Sequence, residues 1–170
     1  GYLDQAGGSI IQGSLDSGAF DVFVLSDGMI GDSLTDRFGK DLNKSFGSLP
    51  GSTGKGAGKF AEVAKAAGID SSGPYTGESY DAAALIVLAM QAGGKADRAT
   101  VQANVMDVAN APGKKIYPGE LKKALDLLAK GKAIDYEGAT AVQLTDVGEA
   151  AGAFLEKEIK GGKFKTKKQR

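Results

Sequence analysis

The sequence predicts an α/β fold with more helices than strands to support them. Three observations lead there. A short apolar run, Val22-Phe23-Val24-Leu25, reads as a buried strand of the parallel type and stops at Ser26-Asp27-Gly28. About six segments carry apolar residues at helical spacing. After Ile134 the chain changes to strand-like stretches divided by glycine turns. In a doubly wound domain the helices cover the faces of a sheet, so most helices need a strand. Here strands are short in number, and the chain reads as part of a larger α/β protein whose remaining strands come from elsewhere.

The elements follow in order. Residues 6–18 read as a helix with Ile10, Ile11 and Leu15 on one side and Gly18 as its C-terminal stop. Residues 20–25 read as a strand, and 33–38 as a short helix. The stretch "KSFGSLPGSTGKGAGK", 44–59, holds a short strand and then a Gly/Ser/Pro-rich connection, the best linker in the chain. Residues 58–68 place Phe60, Val63, Ala64 and Ala67 at helical spacing, with Gly68 after the end. The stretch 81–94, "DAAALIVLAMQAGG", is a buried core helix; its uncharged part is shorter than the ~20 residues of a membrane span. Residues 97–113 form a further helix with Asp97 as N-cap and Pro112-Gly113 as stop. Residues 118–132 are amphipathic, with Glu120 in the first turn and Gly131 closing the helix. "ATAVQLTD", "GAFLEKEIK" and "KFKTKK" are the terminal strands, although the basic run 163–170 also fits a solvated, frayed tail.

Composition removes several function classes. The chain has 21 basic and 21 acidic residues, so a net charge of zero argues against a nucleic-acid partner. It has no cysteine and no histidine, which excludes thiol chemistry, Cys/His zinc sites and a Ser-His-Asp triad within these 170 residues. No cofactor is expected. The chain opens at Gly1-Tyr2 without an initiator Met or a signal peptide, as a processed or truncated product would.

The tempting motifs fail. "GSTGKGAGK", 51–59, lacks the phosphate-loop pattern, because Gly58-Lys59 is followed by Phe60 and not by Ser or Thr. Asp27 after an apolar strand resembles a phospho-accepting aspartate, but the partner acids and downstream lysine have no visible strands to carry them. Ser26-Asp27-Gly28 itself has two readings. Strand ends of open α/β sheets are where ligands sit; Asp-Gly is also among the commonest turn pairs. Glu78 and Asp81, near the start of the core helix, read as partners of its macrodipole.

Four stretches together carry a resemblance: "GYLDQAGGSIIQGSLDSG", "FVLSDGMIGDSL", "SGPYTGESYDAAAL" and the closing "GATAVQLTDVGEAAGAFLEKEIKGGKF". Their order and spacing are similar to the C-terminal half of the leucine/isoleucine/valine-binding proteins, the type I periplasmic solute-binding proteins of ABC transporters. The resemblance implies part of a two-lobed fold of three-layer αβα lobes, with the N-terminal half missing. Residues 1–50 would be a second-lobe segment and 51–138 a first-lobe helical segment. Residues 139–170 would return to the second lobe and end in a β-hairpin.

The resemblance also implies a role. The protein would be a periplasmic binding component, not an enzyme. Its partners would be an amino-acid-like small molecule, the N-terminal half of the same protein and a membrane ABC permease. Asp27 would accept hydrogen bonds from the ligand's ammonium group, Gly28 would let the backbone approach, and Tyr2 and Tyr75 would line the pocket. This chain would then carry only part of the site, hold ligand weakly by itself and seek a partner through its unpaired sheet edge. The alternative is a ligand-sensing regulatory domain, or a small α/β enzyme using Asp27 as general base.

Overall fold

The structure is a computed structural model and describes residues 2–51 and 53–170. Gly1 of the Gly-Tyr loop and Ser52 of the linker stretch lie outside the described residues. The chain divides into two compact units, Gly1–Pro50 with Phe154–Arg170, and Gly51–Ala153.

In the first unit, α1 (Gly8–Ser17) ends where Gly18 takes the left-handed conformation at φ 66°, as the glycine stop requires. α2 spans Asp32–Phe38. The sheet runs in the order β1 (Val24–Leu25), β2 (Phe46–Pro50), β7 (Phe154–Lys160), β8 (Lys163–Gln169). β1 and β2 are parallel, and the other two pairings are antiparallel. Ile11, Leu25, Ile30, Leu34, Leu42, Leu49 and Ile159 bury one sheet face against the helices.

Two expectations are corrected here. The strand expected over 20–25 contracts to Val24–Leu25, and Val22 and Val24 are exposed. The apolar run is therefore not buried on both faces, and among the described residues β1 pairs with β2 alone, which makes it an edge strand. The basic tail is not frayed: β8 is a full strand on β7, and Arg170 exchanges two backbone hydrogen bonds with Phe154.

The second unit contains α3 (Lys55–Ala66), α4 (Thr76–Gly93), α5 (Arg98–Ala109), β3 (Lys114–Ile116), α6 (Leu121–Leu128), β4 (Ile134–Tyr136), β5 (Gln143–Leu144) and β6 (Ala150–Ala151). β3, α6 and β4 make a parallel βαβ crossover. Leu85, Leu88, Val108, Ile116, Ala124, Ile134 and Tyr136 form its core. Asp97 caps α5 as expected, its side chain accepting from the Thr100 N–H at 2.8 Å. The linker is shorter than the sequence suggested, since α3 begins at Lys55 and absorbs "KGAGK" into its first turns. β3 sits between two segments read as helices; three residues are too few to show a period.

Residues 139–153 correct the expected return at 139, because they pack with the second unit. Asn110 holds β5 there, donating to the Leu144 carbonyl at 3.0 Å and accepting from its N–H at 2.9 Å. Asp81 holds the preceding turn, and this corrects its reading as a macrodipole partner. It is 2% exposed, on the sixth residue of α4. Its Oδ1 accepts from the Tyr136 hydroxyl (2.9 Å) and Ala139 N–H (2.7 Å). Its Oδ2 accepts from the Thr140 N–H (2.9 Å) and hydroxyl (2.8 Å). Gly138, at φ 58°, has no room for a Cβ against this carboxylate, and a Cβ on Gly56 would overlap the Gly138 carbonyl. The starts of α3 and α4 are thus locked onto the turn after β4.

Burial, together with the adjacent Asp81 carboxylate, pushes the Tyr136 hydroxyl far above its ordinary value. The unfolded chain releases that proton near pH ~10 while the folded chain keeps it. Its contribution to stability is therefore complete below that pH and is lost as pH rises above it. Tyr136→Phe should cost about 1.5–3 kcal/mol at neutral pH, the worth of a hydrogen bond to a charged group. It should also flatten the alkaline loss of stability relative to the parent, measured as urea midpoints between pH ~9 and ~11.5.

Candidate functional site

Three of the four sequence-predicted site residues lie together in the first unit. Asp27 follows the end of β1 and heads a single 3-10 turn, Asp27–Met29. Ser26 and Asp27 carbonyls accept from the Met29 and Ile30 N–H groups at 2.9 and 3.0 Å. Met29 and Ile30 are buried, so the turn is anchored from below while Asp27 stays exposed above. The Gly28 N–H donates to Asp27 Oδ1 at 2.7 Å, which orients the carboxylate.

Tyr2 reaches the same turn from the other side. Its carbonyl accepts from the Gln5 and Gly7 N–H groups at 3.2 and 3.1 Å, starting the π-type turn Leu3–Gly7 that leads into α1. Gly7 packs on Met29, and Gly28 packs under the Tyr2 ring. Two glycines thus bring the two segments together. Tyr2 is 60% exposed. The result is an oriented carboxylate next to a flat aromatic surface, both open to solvent. Such a pair suits a cationic N–H group: the acid accepts charge-assisted hydrogen bonds, and the ring face attracts the cation.

A Cβ at position 28 would stand 2.5 and 2.6 Å from the Tyr2 ring carbons Cε1 and Cδ1. Gly28→Ala should therefore displace the ring, while an exposed ring that swings into water changes stability by less than about 1 kcal/mol. The expected outcome is an unchanged thermal midpoint with loss of the NOE between the Tyr2 ring protons and the residue 28 amide.

Tyr75, the fourth residue, belongs to the second unit. It precedes α4 in the left-handed region at φ 63° and is 38% exposed. The turn before it is tightly hydrogen-bonded. Thr76 Oγ1 donates to the Ser71 and Gly73 carbonyls at 3.0 and 2.9 Å. Asp70 accepts from the Ser72 N–H and hydroxyl, the backbone bond first in effect, and its carboxyl is held below the usual range. Glu78, one turn on, has a buried Oε1 without a hydrogen-bond partner among the described residues. Nothing in its spacing marked that burial.

Among the described residues no three acids or histidines are grouped as a metal site, and no helix is long and apolar enough to cross a membrane.

No family model matches the chain. Over 95 residues it is 33% identical to the chemotactic signal transduction system substrate-binding protein BasB of Halobacterium salinarum, a stretch covering 55% of this chain and 23% of that protein. The chain thus spans under a quarter of that relative's length. Among solved structures it is similar to the leucine binding protein LivK of Thermotoga maritima, with a TM-score of 0.69 and 16% identity. That match covers 99% of this chain and 42% of LivK. The fold is therefore mixed α/β of the type I periplasmic-binding-protein kind, and it corresponds to part of such a protein, as the sequence resemblance implied.

Proposed function

We propose that this chain is part of an extracytoplasmic solute-binding component of an ABC importer, taking a small polar ligand of amino-acid type between two lobes. The observation that carries the reading is the Asp27 carboxylate, oriented by the Gly28 N–H and flanked by the Tyr2 ring packed on Gly28. Asp27 would accept from the ligand's ammonium group, and Tyr2 would supply a wall. Tyr75 would supply further aromatic area. The resemblance to leucine-binding proteins supports an amino-acid ligand, with branched-chain amino acids first among the candidates.

The role proposed is binding, not catalysis. Closure of the lobes on the ligand would produce the form that a membrane permease reads. Most contacts to the ligand's carboxylate would come from an N-terminal half of the same protein, which would also pair with the edge of β1. A periplasmic or equivalent extracytoplasmic location goes with that role.

A second reading has one observation in its favour. BasB is by name a substrate-binding protein of a chemotactic signal transduction system. On that pattern the closed form would be read by a signal transducer instead of a permease, with the same ligand site.

Isothermal titration of the gene product carrying this chain against the common amino acids tests the shared core of both readings. The expected result is saturable one-to-one binding of at least one of them. No heat with any amino acid would contradict it.

A further inference from the structure

The turn end of the terminal hairpin gathers lysines that make no ion pair among the described residues. β7 and β8 reverse through Gly161-Gly162, and the register sets Lys160 directly opposite Lys163. Like charges directly opposite on neighbouring strands destabilise a sheet. Two more lysines are brought to the same place. Gly162 lies against the Lys40 backbone, and its N–H donates to Asn43 Oδ1 at 3.0 Å. The Lys44 N–H donates to the Ile159 carbonyl at 2.9 Å, next to Lys160. Lys44 does so at φ 77°, a strained conformation for a residue with a side chain.

Lys40, Lys44, Lys160 and Lys163 are all exposed. Among the described residues none of them makes an ion pair, and Asp41, in the same turn, pairs with none of them. Farther along β8 the pattern is the opposite. Lys167, Lys168 and Arg170 all converge on Glu156, within 3.6, 4.0 and 2.9 Å. The chain as a whole is neutral, so the four lysines are a local concentration and not a surplus spread over the surface.

We propose that this end of the first unit is a docking surface for the anionic headgroups of a phospholipid membrane. The charge type selects the partner. Lysine is depleted at protein–protein interfaces, where arginine and aromatic residues dominate, and the four-residue set contains no arginine. Clustered lysines on protruding turns match a diffuse layer of negative headgroups, which needs no fixed geometry from each cation. The attraction acts within about one Debye length, ~8 Å at physiological salt, so protruding side chains are the ones that feel it.

The test is co-sedimentation of the full 170-residue chain with vesicles of phosphatidylcholine alone and of phosphatidylcholine with phosphatidylglycerol. The chain should bind only the anionic vesicles and be released as salt rises. Lys40→Gln, Lys44→Gln, Lys160→Gln and Lys163→Gln combined should lower partitioning at least tenfold, since each lysine near such a surface is worth about fivefold. A second variant removes four exposed lysines of the other unit, Lys95, Lys114, Lys130 and Lys132, by the same change to Gln and so has the same net charge. It should bind as the parent does. Four results would overturn the proposal: no binding to anionic vesicles, equal binding to both vesicle types, equal loss in both variants, or capture on immobilised polyglutamate without vesicle binding.

Discussion

Asp81→Ala should be the most destabilising single change in the second unit, costing roughly 3–5 kcal/mol, because it strands several buried donors at once. The carboxylate accepts four hydrogen bonds, and its partners lie 55 to 59 residues away in the chain. They join α4 to β4 and to the turn at Gly138–Thr140. Asp81→Asn keeps the size but offers one acceptor oxygen and turns an amide N–H₂ toward donors, so it should recover little. Both variants should shift the urea midpoint of the helical unit, followed by circular dichroism, with the first unit's sheet unaffected. A shift no larger than that of Tyr136→Phe would mean that the Ala139 and Thr140 bonds contribute little and that the turn is held by packing alone.

Asp27→Asn in the gene product carrying this chain should lower affinity for its ligand by about two orders of magnitude or more, since losing one partner of a buried charge pair costs on the order of 2–5 kcal/mol. Stability should hardly move. The Asp27 carboxylate is exposed, and the hydrogen bond it accepts from the Gly28 N–H can be accepted equally by the Asn oxygen. Calorimetry separates the two effects. Unchanged affinity would reduce Asp27 to a turn residue.

The local features were legible because their causes are local. Asp97 caps α5 with a bond to Thr100 three residues on, and Gly18 closes α1 within its own turn. The hairpin β7–β8 was readable from alternation on either side of Gly161-Gly162. What was not legible depends on distant partners. The burial of Asp81 is decided by Tyr136, Ala139 and Thr140, and no spacing near Asp81 announces them. β3 has three residues and owes its place to pairing with β4, twenty residues away in register. The return to the first unit was misplaced at 139 because "ATAVQLTD" has strand chemistry whichever unit it joins; Asn110 decides the matter. The site had a mixed origin. Asp27 at a strand end was visible as a question. Tyr2 as a pocket residue came only through resemblance to a family; its seating on Gly28, and the two glycines that admit the close packing, appear only in the fold.

The central claim is that the carboxylate and ring at Asp27 and Tyr2 receive the ammonium end of an amino acid. Calorimetry of the gene product with its best amino-acid ligand, and with the N-acetylated form of that ligand, tests it directly. Acetylation removes the positive charge and one or more donors while leaving the side chain and carboxylate in place. The free amino acid should bind, and the N-acetyl form should bind at least a hundredfold more weakly, about 2.7 kcal/mol. Equal binding of the two would contradict the claim.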